Sequence, residues 1–140
     1  MSTAGYSGTP LPRKLGIREG CRLLLAGTRD GFDAVLGDLP AGVELVGPAD
    51  GAVDVAILFA LDRAAVRREL AALAASLQPA GGLWVAWPKR SSGVVTDLDE
   101  NGIRESGLAA GLVDNKVCAI DSTWSALRFV WRLRDRPARS

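Results

Sequence analysis

The segment from Val53 to Lys89 constrains the fold more than any other part of the chain. It opens with an almost uninterrupted apolar run, Val53-Asp54-Val55-Ala56-Ile57-Leu58-Phe59-Ala60, as expected of a strand covered on both faces. Asp62 then offers an N-cap. Val66, Leu70, Leu73 and Leu77 recur at helical period on one side, with Arg63, Arg67, Arg68 and Glu69 on the other. Pro79-Ala80-Gly81-Gly82 predicts a turn, and Leu83 to Trp87 predicts a second buried strand that stops at Pro88. Strand, helix and strand in this order make one parallel βαβ crossover.

The rest of the chain extends that unit. Gly5 to Pro12 reads as an irregular arm tacked down by Leu11, Leu15 and Ile17. Cys21 to Gly27 predicts a first buried strand, Asp30 to Leu39 a short helix stopped by Pro40, and Val43 to Val46 a second short strand. Asp97 with Glu100 three residues later resembles a capping box for a helix that stops at Gly111. Val113 to Ile120 and Trp124 to Leu133 predict two last strands joined only by Asp121-Ser122-Thr123, a link that permits antiparallel pairing alone. The expected architecture is a single three-layer Rossmann-like α/β domain, its mostly parallel sheet ending in an antiparallel strand. It would comprise an arm at 1–18, the domain at 19–134 and a flexible tail at 135–140.

Composition narrows the function classes. A chain of 140 residues, 48% of them hydrophobic, supports one core. The net charge of +1 sets up no field that would draw the protein onto nucleic acid or an anionic membrane. The arginine-rich end from Arg128 to Arg139, interrupted by Asp135 and Pro137, reads as a solvated terminus rather than a nucleic-acid patch. No stretch approaches the ~20 apolar residues of a membrane span, and the first residues lack the pattern of a signal peptide, so a cytoplasmic location is expected. The chain has no histidine, which removes imidazole general bases and His-ligated zinc. Cys21 and Cys118 are expected to be reduced and buried, and no metal site is expected.

The element order, with a terminal antiparallel pair after a helix, is similar to the C-terminal half of the S-adenosylmethionine-dependent methyltransferase fold. At the level of residues, Gly5 to Leu11, Gly81 to Lys89, Thr96-Asp97-Leu98 and Gly111 to Ala119 with Trp124 resemble a bacterial, mainly actinobacterial family, domain of unknown function 3052, over almost the whole chain. That family implies no reaction, cofactor or catalytic residue. The methyltransferase likeness implies a Gly-x-Gly-x-Gly type loop after the first strand, where missing side chains let backbone approach the cofactor. Here the segment is Leu25-Ala26-Gly27-Thr28-Arg29-Asp30-Gly31, with two glycines and an arginine between them. A Gly-x-x-x-Gly pair in one loop is weak evidence for a cofactor site, and a tight strand-to-helix turn is the better explanation. The interval from Gly27 to Val53 also has room for one helix and one strand, where a full methyltransferase carries two such units. The expectation is a degenerate site with no cofactor.

Ligands of open α/β sheets collect beyond the carboxyl ends of the parallel strands. That edge should gather Gly27, Arg29 and Asp30 after the first strand, Trp87 and Lys89 after the fourth, and Asp121 and Trp124 where the antiparallel strand begins. Trp87, Lys89, Asp121 and Trp124 are expected to form one continuous surface, with Thr96 and Asp97 beside it. Duller roles exist for each: core filling for the tryptophans, a solvated cation for Lys89, a cap for Asp97, a turn for Asp121. The expected function is a non-catalytic binding or regulatory module that holds a protein partner or small ligand in this cleft, with no catalytic residue. The alternative is a small methyltransferase-like enzyme with an atypical cofactor loop, in which Asp121 or Asp97 acts as base and Lys89 orients an anionic substrate.

Overall fold

A computed structural model of the chain describes residues 10–27 and 36–132. The helix expected from Asp30 to Leu39 falls largely outside them. In chain order the described elements are α1 (Leu11–Lys14), β1 (Arg22–Ala26), β2 (Glu44–Val46), β3 (Val53–Phe59), α2 (Arg63–Ser76), β4 (Leu77–Pro88), a 3-10 turn (Arg90–Ser92), α3 (Glu100–Ala109), β5 (Leu112–Ala119) and β6 (Trp124–Trp131). The strands form one sheet in the order β2-β1-β3-β4-β6-β5. β1 to β4 run parallel, and β6 lies antiparallel between β4 and β5. This is the expected single α/β domain.

The apolar strands are buried because both faces of the sheet are covered. On one face, Val66, Leu70 and Leu73 of α2 and Ile103 of α3 pack with Leu58, Leu83, Val85, Trp87 and Phe129. On the other, Leu15, Ile17 and Leu36 pack with Val55, Ile57, Phe59, Trp84 and Trp124. The arm before β1 is anchored by more than its apolar side chains, since the buried Trp84 indole Nε1 donates to the Leu15 carbonyl at 2.8 Å. The one acid in β3 is also placed: Asp54 Oδ2 accepts from the Arg22 N–H at 2.8 Å and so ties β1 to β3.

Three local expectations are corrected. The Pro-Gly-Gly stretch is not a turn outside the sheet, because α2 passes directly into β4 at Leu77 and the register to β3 shifts between Val53 and Val55. The glycines belong to that irregularity: a Cβ on Gly81 would come within 2.9 Å of the Asp54 carbonyl oxygen. The N-cap of α3 is Asp99, whose Oδ1 accepts from Gly102 N–H at 2.7 Å, and not Asp97. Cys118 is only half-buried, whereas Cys21 is buried as expected; both thiols are free. The stop at Gly111 holds, with φ +92° just past the C-cap Ala110.

Candidate functional site

Strand order reverses at β1, which has β2 on one side and β3 on the other. Connections therefore leave β1 and β3 in opposite senses, and their carboxyl ends part to leave a crevice, the usual ligand position in open α/β sheets. Gly27 forms one wall. It is exposed, has φ +62°, and a Cβ there would overlap the Phe59 carbonyl oxygen, so only glycine allows the two strand ends to approach. Arg29 and Asp30 lie outside the described residues.

The other wall is the exit of β3. Ala60 N–H donates to the Ala86 carbonyl at 3.0 Å, holding the strand to its last residue. Asp62 then caps α2, its Oδ1 accepting from Ala65 N–H at 2.8 Å. A segment after β4 is strapped over this exit: Thr96 Oγ1 donates to the Leu61 carbonyl at 2.6 Å and accepts from Leu98 N–H at 3.1 Å. Asp97 Oδ1 accepts from the Arg63 N–H at 2.8 Å, and Arg63 Nε donates to the Asp97 carbonyl at 3.1 Å. The strap leaves an apolar rim, with Leu61 53%, Val94 41% and Val95 93% exposed. Sequence reasoning missed this rim. Its signal was two adjacent valines in an otherwise polar loop, with nothing nearby in sequence to bury them.

Only part of the expected surface at β4 and β6 exists. The edge is as expected: Lys89 N–H donates to the Thr123 carbonyl at 2.7 Å, joining the end of β4 to the start of β6. Asp121 Oδ1 accepts from Thr123 N–H and Trp124 N–H at 2.9 and 2.8 Å, which is the turn role. The tryptophans do not meet on one surface. Trp124 is the cross-strand partner of Pro88, so Trp87, one residue earlier, points to the opposite face. Both are buried, each 6% exposed: Trp87 under the helices, Trp124 edge-on to Phe59 at 5.1 Å between centroids. Lys89 and Asp121, both half-buried, are left at that edge.

The chemistry on offer is modest. Asp62, Asp97 and Asp99 all have oxygens committed to helix N-termini, which suits capping rather than proton transfer. Burial pushes the thiols of Cys21 and Cys118 above the ordinary range, so neither is an activated nucleophile. Among the described residues no group of His, Cys, Asp or Glu could hold a metal ion, and no helix is long and apolar enough to cross a membrane.

No protein-family model matches the sequence. No curated protein matches it either. Solved structures do. The chain is similar to a TehB-like SAM-dependent methyltransferase from Corynebacterium glutamicum, with a TM-score of 0.58 and 14% identity over 92% of this chain and 91% of that one. It is similar to the ribosomal protein L11 methylase of Lactobacillus delbrueckii subsp. bulgaricus, with a TM-score of 0.59 and 11% identity over 88% and 75% of the two chains. A putative methyltransferase from Thermoplasma acidophilum gives 0.56 and 12% over 90% and 76%. At these identities the likeness is one of fold, a Rossmann-like domain of methyltransferase type.

That fold implies a cofactor, and the described residues meet its needs only in part. The strand-end glycine is present, but its bareness is already required by Phe59. An acid that bonds a ribose is expected about 20 residues past the loop. Here β2 ends on Val46, and Asp50 turns its Oδ2 onto Gly47 N–H at 2.7 Å. These residues do not by themselves complete an S-adenosylmethionine site.

Proposed function

We propose that the chain is a ligand-binding domain of methyltransferase type whose site is the crevice between Gly27 and Ala60 to Asp62, and that it is a small enzyme with an atypical cofactor loop rather than a module without catalysis. The observation that carries this reading is the reversal of strand order at β1, which opens the crevice where adenosyl ligands sit in such folds. Gly27 gives backbone access, and Leu61, Val94 and Val95 make a rim that favours an apolar acceptor and sheds water. Asp30 would contribute from the loop itself and Lys89 and Asp121 from the neighbouring edge, while Arg29, placed where such loops carry a glycine, would crowd the cofactor's approach. Membership of the domain 3052 family and a cytoplasmic location belong to the same proposal. So does action on a small ligand or protein partner, away from membranes and nucleic acid.

Calorimetry with S-adenosylhomocysteine tests the reading. Binding is expected weaker than about 10 μM, a free energy of roughly 7 kcal/mol or less. It should be lost in Leu61→Arg and tightened in Arg29→Gly. Absence of binding at about 5 mM by both the wild type and Arg29→Gly would return the chain to the class of non-catalytic modules.

A further inference from the structure

A cavity on the far side of the molecule shares no residue with the switch-point crevice. It measures about 800 Å³ and lies on the Trp84 face of the sheet, beneath the arm that precedes β1. Five cations line it: Arg13, Lys14 and Arg18 from the arm, Lys116 from β5 and Arg128 from β6. Among the described residues its carboxylates are Glu19 and Asp38. Pro12, Ile17 and Pro40 supply rigid apolar wall.

Arg128 is the member that a purely structural account leaves unexplained. It is the cross-strand partner of both Trp84 and Lys116, which places it on their face of the sheet. Its guanidinium lies back across β4 over Gly82, where a Cβ would come within 2.5 Å of Nε. The position is half-buried, yet among the described residues its side chain hydrogen-bonds only Asn115 Oδ1, at 3.4 Å. Among the described residues no carboxylate pairs with Arg13, Arg18, Lys116 or Arg128. Loss of solvent, and then the charge of Arg18, hold the Arg128 guanidinium below its ordinary range. Lys14 and Lys116 both act on the Cys118 thiol, so the cations do converge. Bringing Arg13, Arg18, Lys116 and Arg128 onto one cavity with no paired carboxylate among the described residues is unfavourable until an anion enters it.

We infer that this cavity binds a small ligand carrying a diphosphate, either the free anion or a nucleoside diphosphate. The volume is that of a small-molecule site, and the cations close on one concavity rather than running along a stripe as a nucleic-acid backbone requires. Guanidinium forks bind phosphate oxygens in pairs while lysines add point charge, a mixture suited to adjacent phosphates. Glu19 and Asp38 oppose an anion locally, but the five lining cations outnumber them and leave the wall net positive.

The test is calorimetry with pyrophosphate and with ADP on the full chain and four variants. Arg128→Gln removes the guanidinium. Gly82→Ala keeps every charge and displaces it, Arg18→Gln stands in at an exposed position that the fold does not need, and Arg67→Gln on α2 is the control. Wild type is expected to bind with a dissociation constant on the order of 100 μM, weakened tenfold or more by the first three changes and unaltered by the fourth. Arg128→Gln should not lower the melting temperature, because a poorly solvated, unpaired cation is removed. ADP binding tenfold tighter than pyrophosphate assigns the nucleotide; equal affinities assign the free anion. The proposal is overturned if neither binds at about 5 mM, if Arg128→Gln and Arg18→Gln bind as the wild type does, or if single-stranded RNA binds and neither diphosphate does.

Discussion

The Asp97 carboxylate caps a helix that began 34 residues earlier, accepting from the backbone N–H of Arg63 at 2.8 Å. The contact joins the loop after β4 to the first turn of α2, and with Thr96 on Leu61 it closes the strap over the exit of β3. Asp97 therefore positions the strap over the crevice. Asp97→Ala should cost about 1 kcal/mol in urea unfolding, the usual loss of a cap, while Asp97→Asn should cost much less because the amide oxygen still accepts. Equal losses for both would mean that the charge, not the cap, is what matters.

A second close approach sets the distance between α3 and the sheet. A Cβ on Gly107 would overlap one edge of the Phe129 ring, at Cε1, and that ring is fully buried. Gly107→Ala normally helps a helix, yet here overpacking should make it destabilising by about 1 to 3 kcal/mol. Phe129→Leu alone loses packing, but in the double variant the smaller side chain makes room. A double-mutant cycle by chemical denaturation should show a favourable coupling between the two changes, and strict additivity would contradict the contact.

The two thiols give a pH signature. Burial raises both above the ordinary value of 9.0, with Lys14 and Lys116 opposing the shift at Cys118 and Asp54 adding to it at Cys21. A raised value in the folded state means stability that is intact below 9.0 and declines as pH climbs from there through the folded value. The unfolding free energy of the wild type should fall more steeply above pH 9.0 than that of a Cys21→Ala, Cys118→Ala double variant. Alkylation of the native protein should reach the half-buried Cys118 well before Cys21.

How much was legible in the sequence follows from the range of the interactions involved. β3 and α2 were readable because period and burial are properties of consecutive residues: Val66, Leu70, Leu73 and Leu77 all lie in the core. The carboxyl edge was readable because strand direction follows from link length, as the Lys89 to Thr123 bond illustrates. Which helix Asp97 serves was not readable, since Asp97 and Asp99 both precede Glu100 and only tertiary placement separates them. Nor was the basic cavity. Arg13, Lys14, Arg18, Lys116 and Arg128 are scattered over more than a hundred residues, and only the pairing of β5 with β6 under the arm brings them together.

Trp124 and Lys89 separate folding from binding at the carboxyl edge. An exposed tryptophan that anchored a ligand could be truncated with little loss of fold. Trp124 is 6% exposed and stands edge-on to Phe59, 5.1 Å between centroids and 85° between planes, within the cluster that seats the arm. Trp124→Ala should therefore cost about 3 to 5 kcal/mol in stability, the range for a large aromatic removed from a core. Trp124→Phe should recover much of it, because a smaller ring can keep the edge-to-face contact. Lys89, half-buried beside the Thr123 carbonyl through its backbone rather than its side chain, should lose less than about 0.5 kcal/mol on change to Ala. Chemical denaturation of the three variants, followed by titration of S-adenosylhomocysteine into those that fold, separates the roles. A Trp124→Ala protein as stable as the wild type would mean that the tryptophan is not packed as described, and would restore it to the list of residues that meet a ligand directly.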